Sequence, residues 1–426
     1  MIRFEEYFSY LYSQFQLTLL PPVLDIIITL SLPVLTILLL SIFWTLWVQY
    51  VRSLNFLNLK YTLLEVKLPK ETYKSPAAMD LLLHAFHNTS DGKWFNRYWK
   101  GETRPWYSLE LISVEGRIKF FIWTEDRRKI GAMSALYAQF PGIEVVEVED
   151  YAKSMKYDPK TMKVWAAEFQ FANKIPAYPI KTYIDYGLDK DPKEEFKVDP
   201  LVPGLEFLGS VGPNQQVWIQ ILIRAHKDEQ KKKGHLFKTT DEWKDGIQEE
   251  INKIMIRDPK TKVTGVKDEE TGFTKIPMLS EIDEMQVKAL SRRLTKLSFD
   301  VGIRALYIAK KESFDTPFGI GGCISFFKNF NTEHLNGLRP NGDKWTVSLD
   351  SPWKDFMDIR RHRYAREGIM AYKMRSFFYT PFEEKPIVMN TEELATIYHF
   401  PGSVSGTPSL ERVPSKKGQA PANLPI

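Results

Sequence analysis

The side chains best suited to chemistry form a basic run at residues 360–375. It begins with Arg360, Arg361, Arg363 and Arg366, and Tyr364 lies between them. On a helix, Arg360 and Arg363 share one face at the i, i+3 spacing. Guanidinium groups beside an aromatic ring suit contact with phosphate, so the run predicts a phosphate or nucleic-acid site. The alternative, which the sequence favours, is a solvated helix whose arginines pair with acids of a neighbouring domain.

Two histidines offer a second, weaker candidate site. His84 and His87 lie three positions apart on a predicted helix and could both reach one metal ion. A third ligand is missing from their neighbourhood in the sequence, so a polar helix edge is the better interpretation. The single cysteine, Cys323, excludes an internal disulfide and Cys-rich zinc modules, and it fits a reducing compartment. The sequence therefore predicts neither a metal nor a cofactor.

Nucleotide-binding and hydrolase motifs do not occur in the sequence. Neither G-x-x-x-x-G-K-[ST] nor a G-x-G-x-x-G after a strand is present. The nearest cluster, Gly319, Gly321 and Gly322, lacks the lysine that would reach a phosphate, and it predicts a helix-entry turn. Ser-His-Asp, Cys-His and H-E-x-x-H signatures are also missing. We therefore expect a protein that is not an enzyme.

Residues 390–402, with the sequence NTEELATIYHFPG, form the most distinctive peptide of the chain. Asn390 can accept hydrogen bonds from first-turn amides, and Glu393 occupies the reciprocal position of a capping box. Glu392 adds negative charge at the positive end of the helix, and the Pro-Gly pair stops it. The peptide is therefore predicted to be a short capped helix with an apolar side that must be buried.

A membrane-spanning helix is predicted to precede these elements. Residues 26–51 form a run of 26 positions without a charged side chain. At a rise of about 1.5 Å per residue, such a helix crosses a hydrocarbon core of roughly 30 Å. Trp44, Trp47 and Tyr50 stand where the aromatic belt of a membrane interface is expected. Lys and Arg are more frequent after the run than before it, which favours a cytoplasmic body and a single-pass protein of the cytoplasmic membrane.

The rest of the chain is predicted to be an α+β body of two similar units. In the first, the order β-α-β-β-α-β is the split βαβ arrangement of ferredoxin-like domains. Its strands are predicted at 61–68, 106–114, 117–124 and 143–149. The second unit repeats the pattern with a helical hairpin inserted at its centre. Its predicted elements are a strand at 180–186, a helix at 200–208, strands at 217–223 and 299–309, a helix at 323–330, and a closing strand at 345–349 or 386–389.

Length and charge set the broad organisation. A chain of 426 residues suggests two or three domains, and a net charge of +5 suits a protein near anionic lipid without implying nucleic acid. The predicted segments are an extracytoplasmic or interfacial tail at 1–22, a transmembrane helix at 23–52, ferredoxin-like units at 59–150 and 163–390 (the second with an insertion at about 230–298), a capped helix at 391–402, and a Pro-rich tail at 403–426.

Several stretches resemble the N-terminal, membrane-anchored domain of coupling ATPases (HerA/FtsK-like) from type IV secretion and conjugation-like systems. They are residues 390–402 with the adjoining tail, LVPGLEFLGSVGPNQQVWIQILIRAH, LTKLSFDVGIRALYIAKKESF and FFKNFNTEHLNGLRP. The resemblance covers the chain from about residue 61 onward. In that family a P-loop motor follows this region, whereas the present sequence stops at Ile426. The family's ATP-binding residues therefore have no positions here to be carried over to.

The resemblance implies a non-catalytic, membrane-anchored subunit of a type IV secretion-like or DNA-transfer machine, with a separately encoded hexameric P-loop ATPase as its partner. Docking of that motor is expected at Asn390, Thr391, Glu392, Glu393, His399, Pro401 and Gly402. Deletion from Asn390 onward is expected to abolish motor binding and leave the body folded. Membrane lipid and further copies in a ring are the other expected partners. The alternative hypothesis is a membrane-tethered nucleic-acid binder that contacts DNA through residues 360–375.

Overall fold

The computed structural model describes most of the chain, in two compact units. The described residues are 4–14, 20–69, 75–189, 198–227, 230–231, 239–256, 266–267, 274–275, 279–349, 353, 355–402 and 412–413. One unit comprises Met1–Leu59 and Asp91–Thr103, and the other comprises Lys60–Ser90 and Arg104–Ile426. The first unit contains the long apolar helix, and the second contains the sheet.

The helices and strands of the described residues are numbered in chain order. The helices are α1 (Phe4–Gln14), α2 (Leu20–Asn58), α3 (Ala77–Phe86), α4 (Trp94–Trp99), α5 (Lys129–Gln139), α6 (Tyr151–Ser154), α7 (Val202–Gly209), α8 (Glu242–Ile254), α9 (Glu281–Thr295), α10 (Gly321–Lys328), α11 (Ile359–Met374) and α12 (Thr391–Ile397). The strands are β1 (Tyr61–Pro69), β2 (Trp106–Val114), β3 (Arg117–Glu125), β4 (Glu144–Val148), β5 (Met162–Phe171), β6 (Gln215–Ala225), β7 (Gln230–Lys231), β8 (Thr239–Thr240), β9 (Val266–Lys267), β10 (Thr274–Lys275), β11 (Ser298–Lys310), β12 (Leu338–Pro340), β13 (Ile387–Asn390) and β14 (Arg412–Val413).

Helix α2 is the longest helix of the first unit, and its sequence is rich in aliphatic residues. Its part Ser31–Asn58 is long and apolar enough to cross a membrane, as the run at 26–51 predicts. Two threonine side chains of the run bond to backbone carbonyls of the same helix. The hydroxyl groups of Thr36 and Thr45 donate to the carbonyls of Leu32 and Ser41 at 2.8 and 2.9 Å.

The first half of the second unit has four antiparallel strands in the order β4-β1-β3-β2. Helix α3 lies between β1 and β2 in the chain, and α5 lies between β3 and β4. The β2–β3 hairpin turns at Glu115 and Gly116, which both have positive φ, as a two-residue type I′ turn requires. The four strands that the alternating pattern predicts are therefore present at the expected positions.

The second half repeats this arrangement, with antiparallel strands in the order β12-β5-β11-β6. Helices α8 and α9, the predicted hairpin, lie between β6 and β11 in the chain. Strands β2 and β6 join the halves, with Trp106 opposite Arg224 and Val114 opposite Gln216. One large sheet thus runs through both halves, and the mixed α and β composition is confirmed.

The prediction of a strand at residues 180–186 is wrong. These residues form an irregular segment followed by turns, and two of their backbone amides bond to side chains of the C-terminal helix. The amide of Ile180 donates to Glu393 Oε1 at 3.2 Å, and the amide of Tyr183 donates to Thr396 Oγ1 at 2.9 Å. The strand that opens the second half is β5, which the sequence pattern did not predict.

The closing strand of the second half also differs from expectation. Residues 345–349 are not a strand, since Trp345–Ser348 forms a 3-10 turn. The other candidate is a strand, β13, and it pairs with the first residues of β11. The strand that pairs with β5 at the edge of this half is β12. It has three residues and is too short for an alternating pattern to reveal. Residues 257–278, between α8 and α9 of the predicted insertion, and the predicted tail at 403–426 lie largely outside the described residues.

Both faces of the sheet are covered. On one face, hydrophobic strand residues pack in one core with side chains of α3, α5, α7, α10 and α12. On β6, Ile219 and Ile221 belong to this core, whereas Gln220 faces away and donates to the carbonyl of Tyr372 on α11 at 3.2 Å. Helix α11 therefore covers the opposite face. The backbone of α11 lies close to the sheet at Gly368, where a Cβ would be 2.6 Å from the Cβ of Ala166 on β5.

Candidate functional site

From Leu32 to Leu46, helix α2 exposes its apolar side chains. Ile37 and Leu40, in the middle of the uncharged run, are 70% and 68% exposed. A continuous apolar surface of this length is unfavourable in water and favourable in lipid. The predicted interfacial residues come at the end of the run: Trp44 and Tyr50 are exposed, and Trp47 is half-buried. Within the described residues, α2 is the one helix long and apolar enough to cross a membrane.

The capping box predicted at the start of α12 is present. Asn390 Oδ1 accepts from the amide of Glu393 at 2.8 Å, and Glu393 Oε2 accepts from the amide of Asn390 at 2.9 Å. The residues expected to dock a partner, however, lie in the core. Those that are buried are Asn390, Thr391, Glu392, Glu393, His399 and Pro401, while Gly402 is half-buried. These buried side chains are not available to a partner while the core is intact.

Glu393 forms a fully buried ion pair that joins α12 to the inserted hairpin. Arg293 on α9 donates from Nε to Glu393 Oε2 at 3.0 Å. Its Nη1 donates to the carbonyls of Pro176 and Ala177 at 2.6 Å each, and its Nη2 donates to the carbonyl of Val388 at 2.7 Å. Burial lowers the pKa of the Arg293 guanidinium, and the Glu393 carboxylate opposes that effect. A buried pair with this many hydrogen bonds fixes the position of the helices that carry it.

His399, which follows α12, is hydrogen-bonded both to α12 and to the segment before α7. Its Nδ1 lies 3.0 Å from the carbonyl oxygen of Ala395, and its Nε2 lies 3.0 Å from Asp199 Oδ2. Burial alone would lower the pKa of His399, but the Asp199 carboxylate and the Ala395 carbonyl raise it above the usual value. An imidazolium that donates from both nitrogens satisfies both acceptors, so this residue acts as a structural link.

The four arginines of the basic run lie on the N-terminal half of α11, and all are exposed: Arg360, Arg361, Arg363 and Arg366. Arg361 Nη1 donates to Asp358 Oδ1 at 2.9 Å, and Arg363 Nε donates to Glu367 Oε1 at 2.8 Å. Both acids lie on α11 or directly before it, and the ion pairs reduce the positive charge that the helix presents.

Arg375, at the end of the same run, is buried beneath α11. Its Nε donates to Glu110 Oε1 at 2.9 Å, and its Nη1 and Nη2 donate to the carboxylate of Asp150 at 2.5 and 2.9 Å. Burial alone would lower the pKa of Arg375, but Glu110 and Asp150 raise it well above the usual value. Tyr151 also donates to Glu110, at 2.8 Å. This cluster fixes α11 to the first half of the sheet.

A second cluster, around His226, was not predicted from the sequence. His226 Nδ1 lies 2.6 Å from Asp300 Oδ1, and its Nε2 lies 3.3 Å from Asp241 Oδ1. Arg224 donates to the other oxygen of Asp300 at 2.7 Å. Burial would lower the pKa of His226, but the two carboxylates raise it to about 9. Because Asp241 and Asp300 are far from His226 in the sequence, no local motif reveals the cluster. It joins β6, β11 and the start of α8.

The two histidines of the predicted helix edge do not converge on a common point. His87 Nε2 lies 3.2 Å from the carbonyl oxygen of Ser298, whereas His84 Nε2 lies 3.7 Å from Asp80 Oδ1. Burial lowers the pKa of His87. In the part of the chain that the structure describes, no group of three or more His, Cys, Asp or Glu side chains is arranged to hold a metal ion.

The glycine cluster lies where a π-helical turn, Thr316–Ile320, leads into the next helix. Helix α10 begins at Gly321. A Cβ at Gly319 would lie 2.2 Å from the ring of Tyr307, and one at Gly322 would lie 1.9 Å from the ring of Phe207. Glycine is required at both positions because aromatic rings occupy the space that a side chain would need.

A cavity of about 400 Å³ lies between α9 and the turn at residues 184–185. Its walls are formed by Ile184, Asp185, Glu281, Glu284, Met285, Lys288 and Arg292. Arg292 Nη2 donates to Asp185 Oδ1 at 2.5 Å. Acids and bases are mixed in this wall, so the cavity does not favour a ligand of one charge.

Comparison with known proteins identifies the family. Residues 55–412 match the family described as Domain of unknown function (DUF8128), and the chain belongs to it. The match covers the end of α2 and both halves of the sheet. A search of curated proteins finds no match.

Proposed function

We propose that this member of the DUF8128 family is a non-catalytic, membrane-anchored subunit of a type IV secretion-like or DNA-transfer machine. In this proposal α2 crosses the cytoplasmic membrane, the body faces the cytoplasm, and a P-loop ATPase motor docks on the body side. The protein acts by position, because anchoring raises the effective concentration of the motor at the membrane. Ring-like homo-oligomers would match the symmetry of a hexameric motor.

The exposed apolar surface of α2 is the observation that carries the anchoring part of the proposal. Ser31–Asn58 combines sufficient length with apolar composition, and Ile37 and Leu40 are among its most exposed residues. The orientation is supported by the excess of Lys and Arg that begins with Arg52 after the uncharged run.

The motor partner is supported by the resemblance of residues 390–402 and the adjoining tail to the region before the motor in coupling ATPases. The burial of α12 changes where docking is expected. Asn390 and Glu393 hold the core together, so we place the docking surface beyond Gly402. In this arrangement α12 holds the start of the docking segment in place.

We further propose that each half of the sheet is a ferredoxin-like unit. The support is the strand order: in both halves the fourth strand lies beside the first, the first beside the third, and the third beside the second. All of these pairs are antiparallel, as in the split βαβ arrangement. A duplicated unit would explain why the two halves join through equivalent strands, β2 and β6.

A membrane-tethered nucleic-acid binder is the second candidate function. The observation in its favour is the exposure of four arginines in the first half of α11. This candidate predicts DNA binding that weakens steeply with salt, and whose salt dependence is reduced by Ala at Arg360, Arg361 and Arg363. Binding that is absent, or unchanged in the triple variant, would dismiss it.

Co-purification from native membranes tests the main proposal. The full chain carries a C-terminal tag, membranes are solubilised in mild detergent, and bound proteins are identified by mass spectrometry. We expect a P-loop ATPase in near-stoichiometric amount. A variant keeps residues 1–402 and carries residues 403–426 in scrambled order, so that length and composition are unchanged. Loss of the ATPase from this variant supports docking beyond Gly402. Recovery of no ATPase with the full chain would contradict the proposal.

A further inference from the structure

The short helix α4 is unusually aromatic and exposed. Four of its six residues are aromatic, in the sequence WFNRYW. Trp94 and Phe95 are 62% and 56% exposed, and Trp99 is also exposed. Three large aromatic side chains next to one another on a water-exposed surface are unfavourable, so this helix needs an apolar or amphipathic neighbour.

Helix α4 lies against the end of the uncharged run of α2, within the same compact unit. Trp47 Nε1 donates to the carbonyl oxygen of Tyr98 at 3.2 Å. The rings of Trp44 and Tyr98 are 5.6 Å apart, and those of Trp47 and Trp99 are 5.4 Å apart. The two sets of aromatic residues therefore form one continuous cluster at the level of α2 where the aromatic belt of a membrane is expected.

The turn after α4 fixes this position. Gly101 has a positive φ of 70°, and a Cβ there would lie 2.3 Å from the carbonyl oxygen of Val51. The side chain of Asn55 donates to the carbonyl of Gly101 at 3.1 Å. Since Val51 is the last residue of the uncharged run, α4 is held beside the turn of α2 at which the apolar segment ends.

Basic residues surround the aromatic cluster. Residues 91–103 contain Lys93, Arg97 and Lys100, against the acids Asp91 and Glu102. Arg97 is paired with Asp91 at 2.9 Å, whereas Lys93 and Lys100 are exposed. Aromatic residues with flanking cations are the composition of helices that lie in the headgroup region of anionic membranes.

We propose that α4 is an interfacial anchor that lies in the headgroup layer of the bilayer crossed by α2, and that Lys93 and Lys100 bind anionic lipid phosphates there. The inference rests on the anchoring part of the proposed function. The occupant is the membrane surface because the cluster continues the apolar surface of α2, and because its flanking charge is complementary to anionic lipid. The first unit would then contact the membrane through α4 as well as through α2. This second contact would restrict the rotation of α2 about its own axis.

Spin-label accessibility in nanodiscs that each hold one copy of the full chain tests this inference. Cys323 is the one cysteine and is fully buried, so a Cys323→Ala background allows single labels. Labels are placed by Phe95→Cys on α4, Leu39→Cys on α2 and Ile130→Cys on α5, all at exposed positions. We expect collision with oxygen to dominate at 39, collision with a water-soluble nickel chelate to dominate at 130, and headgroup-level values at 95.

The three labels separate the possible failures. A label at 95 that is as accessible to the nickel chelate as the label at 130, while 39 is deep, would overturn the inference and leave the anchor intact. A label at 39 that is aqueous would overturn both. A label at 95 that is shielded from both collision agents would indicate contact with protein and would also overturn the inference.

Lipid charge supplies the second measurement. Adding phosphatidylglycerol to phosphatidylcholine nanodiscs is expected to move the label at 95 deeper, because the lysines approach the anionic phosphates. This shift should be lost in the Lys93→Glu, Lys100→Glu double variant. It should be kept in the control Lys310→Glu, which alters an exposed lysine of the second unit. A shift that persists in the double variant would contradict binding of phosphate by these two lysines.

Discussion

Three ion pairs lie in the interior of the second unit. Arg293, Arg304 and Arg375 are fully buried, and each is paired with a carboxylate. Removing one partner of such a pair leaves a buried charge uncompensated, at a cost of about 3–5 kcal/mol. An exposed ion pair contributes only about 0–1 kcal/mol. The same substitution at a buried and at an exposed arginine should therefore have very different effects on the stability of the fold.

The substitution Arg293→Ala should destabilise the second unit by about 3–5 kcal/mol, because it leaves the Glu393 carboxylate buried without its cation. The matched control is Arg363→Ala, which removes an exposed pair on α11 and should have little effect on the free energy of unfolding. Both are measured by denaturant unfolding in detergent. Equal effects of the two substitutions would show that the buried pair does not hold α9 and α12 together.

The His226 cluster predicts a dependence of stability on pH. The pKa of this residue in the folded protein is about 9, above its ordinary value of about 6.5. The contribution of His226 to stability is therefore fully present below pH ~6.5 and is lost as the pH rises through 9. It amounts to at most about 3.5 kcal/mol at about 1.4 kcal/mol per pKa unit. The acids that face it are Asp241 and Asp300, and Arg224 and Lys244 flank those acids.

The measurement compares the melting temperature of the unsubstituted chain with that of His226→Gln at pH 6 and pH 9.5. The unsubstituted chain should be more stable at pH 6, and the difference should shrink at pH 9.5. Arg363→Ala again serves as the control, with a small difference at both values. A gap that grows with pH would contradict a charged His226 between two carboxylates.

At the scale of elements, helix packing depends on glycines that admit aromatic rings. Gly322 of α10 contacts the ring of Phe207 on α7, where a Cβ would have no room. Its neighbour Gly321 has no atom near the position that a Cβ would occupy. Two adjacent glycines of one helix thus differ in the space available to a side chain.

The substitution Gly322→Ala should destabilise the protein by about 1–3 kcal/mol, because α7 and α10 must move apart to admit the methyl group. Gly321→Ala is the matched control, and it should be neutral or stabilising by up to about 1 kcal/mol through its effect on helix propensity. Thermal unfolding of the two variants measures the difference. Equal melting temperatures would show that α7 does not press against α10.

The sequence predicts those elements whose signal is local. The strand β6 has isoleucines on alternate residues, and the hairpin β2–β3 carries its turn residues, so both are found at the right positions. The strand predicted at residues 180–186 is absent because side chains on α12 accept the hydrogen bonds of the Ile180 and Tyr183 amides. Both residue types are common in strands, so the local pattern could not show this. The His226 cluster and the burial of α12 depend on contacts between distant parts of the chain, which no local pattern contains.

At the scale of the whole molecule, the C-terminal segment joins the two halves of the sheet. The capping box of α12 lies at the end of β13, which pairs with β11 in the second half. The hydroxyl of Tyr398 donates to the carbonyl of Phe121 in the first half at 3.1 Å, and the ring of Phe400 lies 5.4 Å from that of Phe120. Because residues 390–400 are buried between both halves, we expect that the body does not fold without them, in contrast to the expectation from the sequence.

Truncation should distinguish the buried segment from the residues beyond Gly402. A chain that ends at Met389 loses α12 and the contacts of Tyr398 and Phe400, so we expect it to aggregate or to lose its cooperative unfolding transition. A chain that ends at Gly402 keeps these contacts and should unfold within a few degrees of the full chain. Limited proteolysis and thermal unfolding measure both. A stable body in the chain that ends at Met389 would contradict the role given to this segment.

The anchoring of the chain by α2 is the claim on which the account depends most, and alkaline carbonate extraction of cell membranes tests it directly. We expect the full chain to stay in the membrane pellet. A variant with Leu39→Arg and Leu40→Arg should move to the soluble fraction, because each charge at the centre of a membrane helix costs about 2.5–3.5 kcal/mol. The control with Leu39→Ile and Leu40→Ile should stay in the pellet. Release of the unsubstituted chain by carbonate would contradict the account.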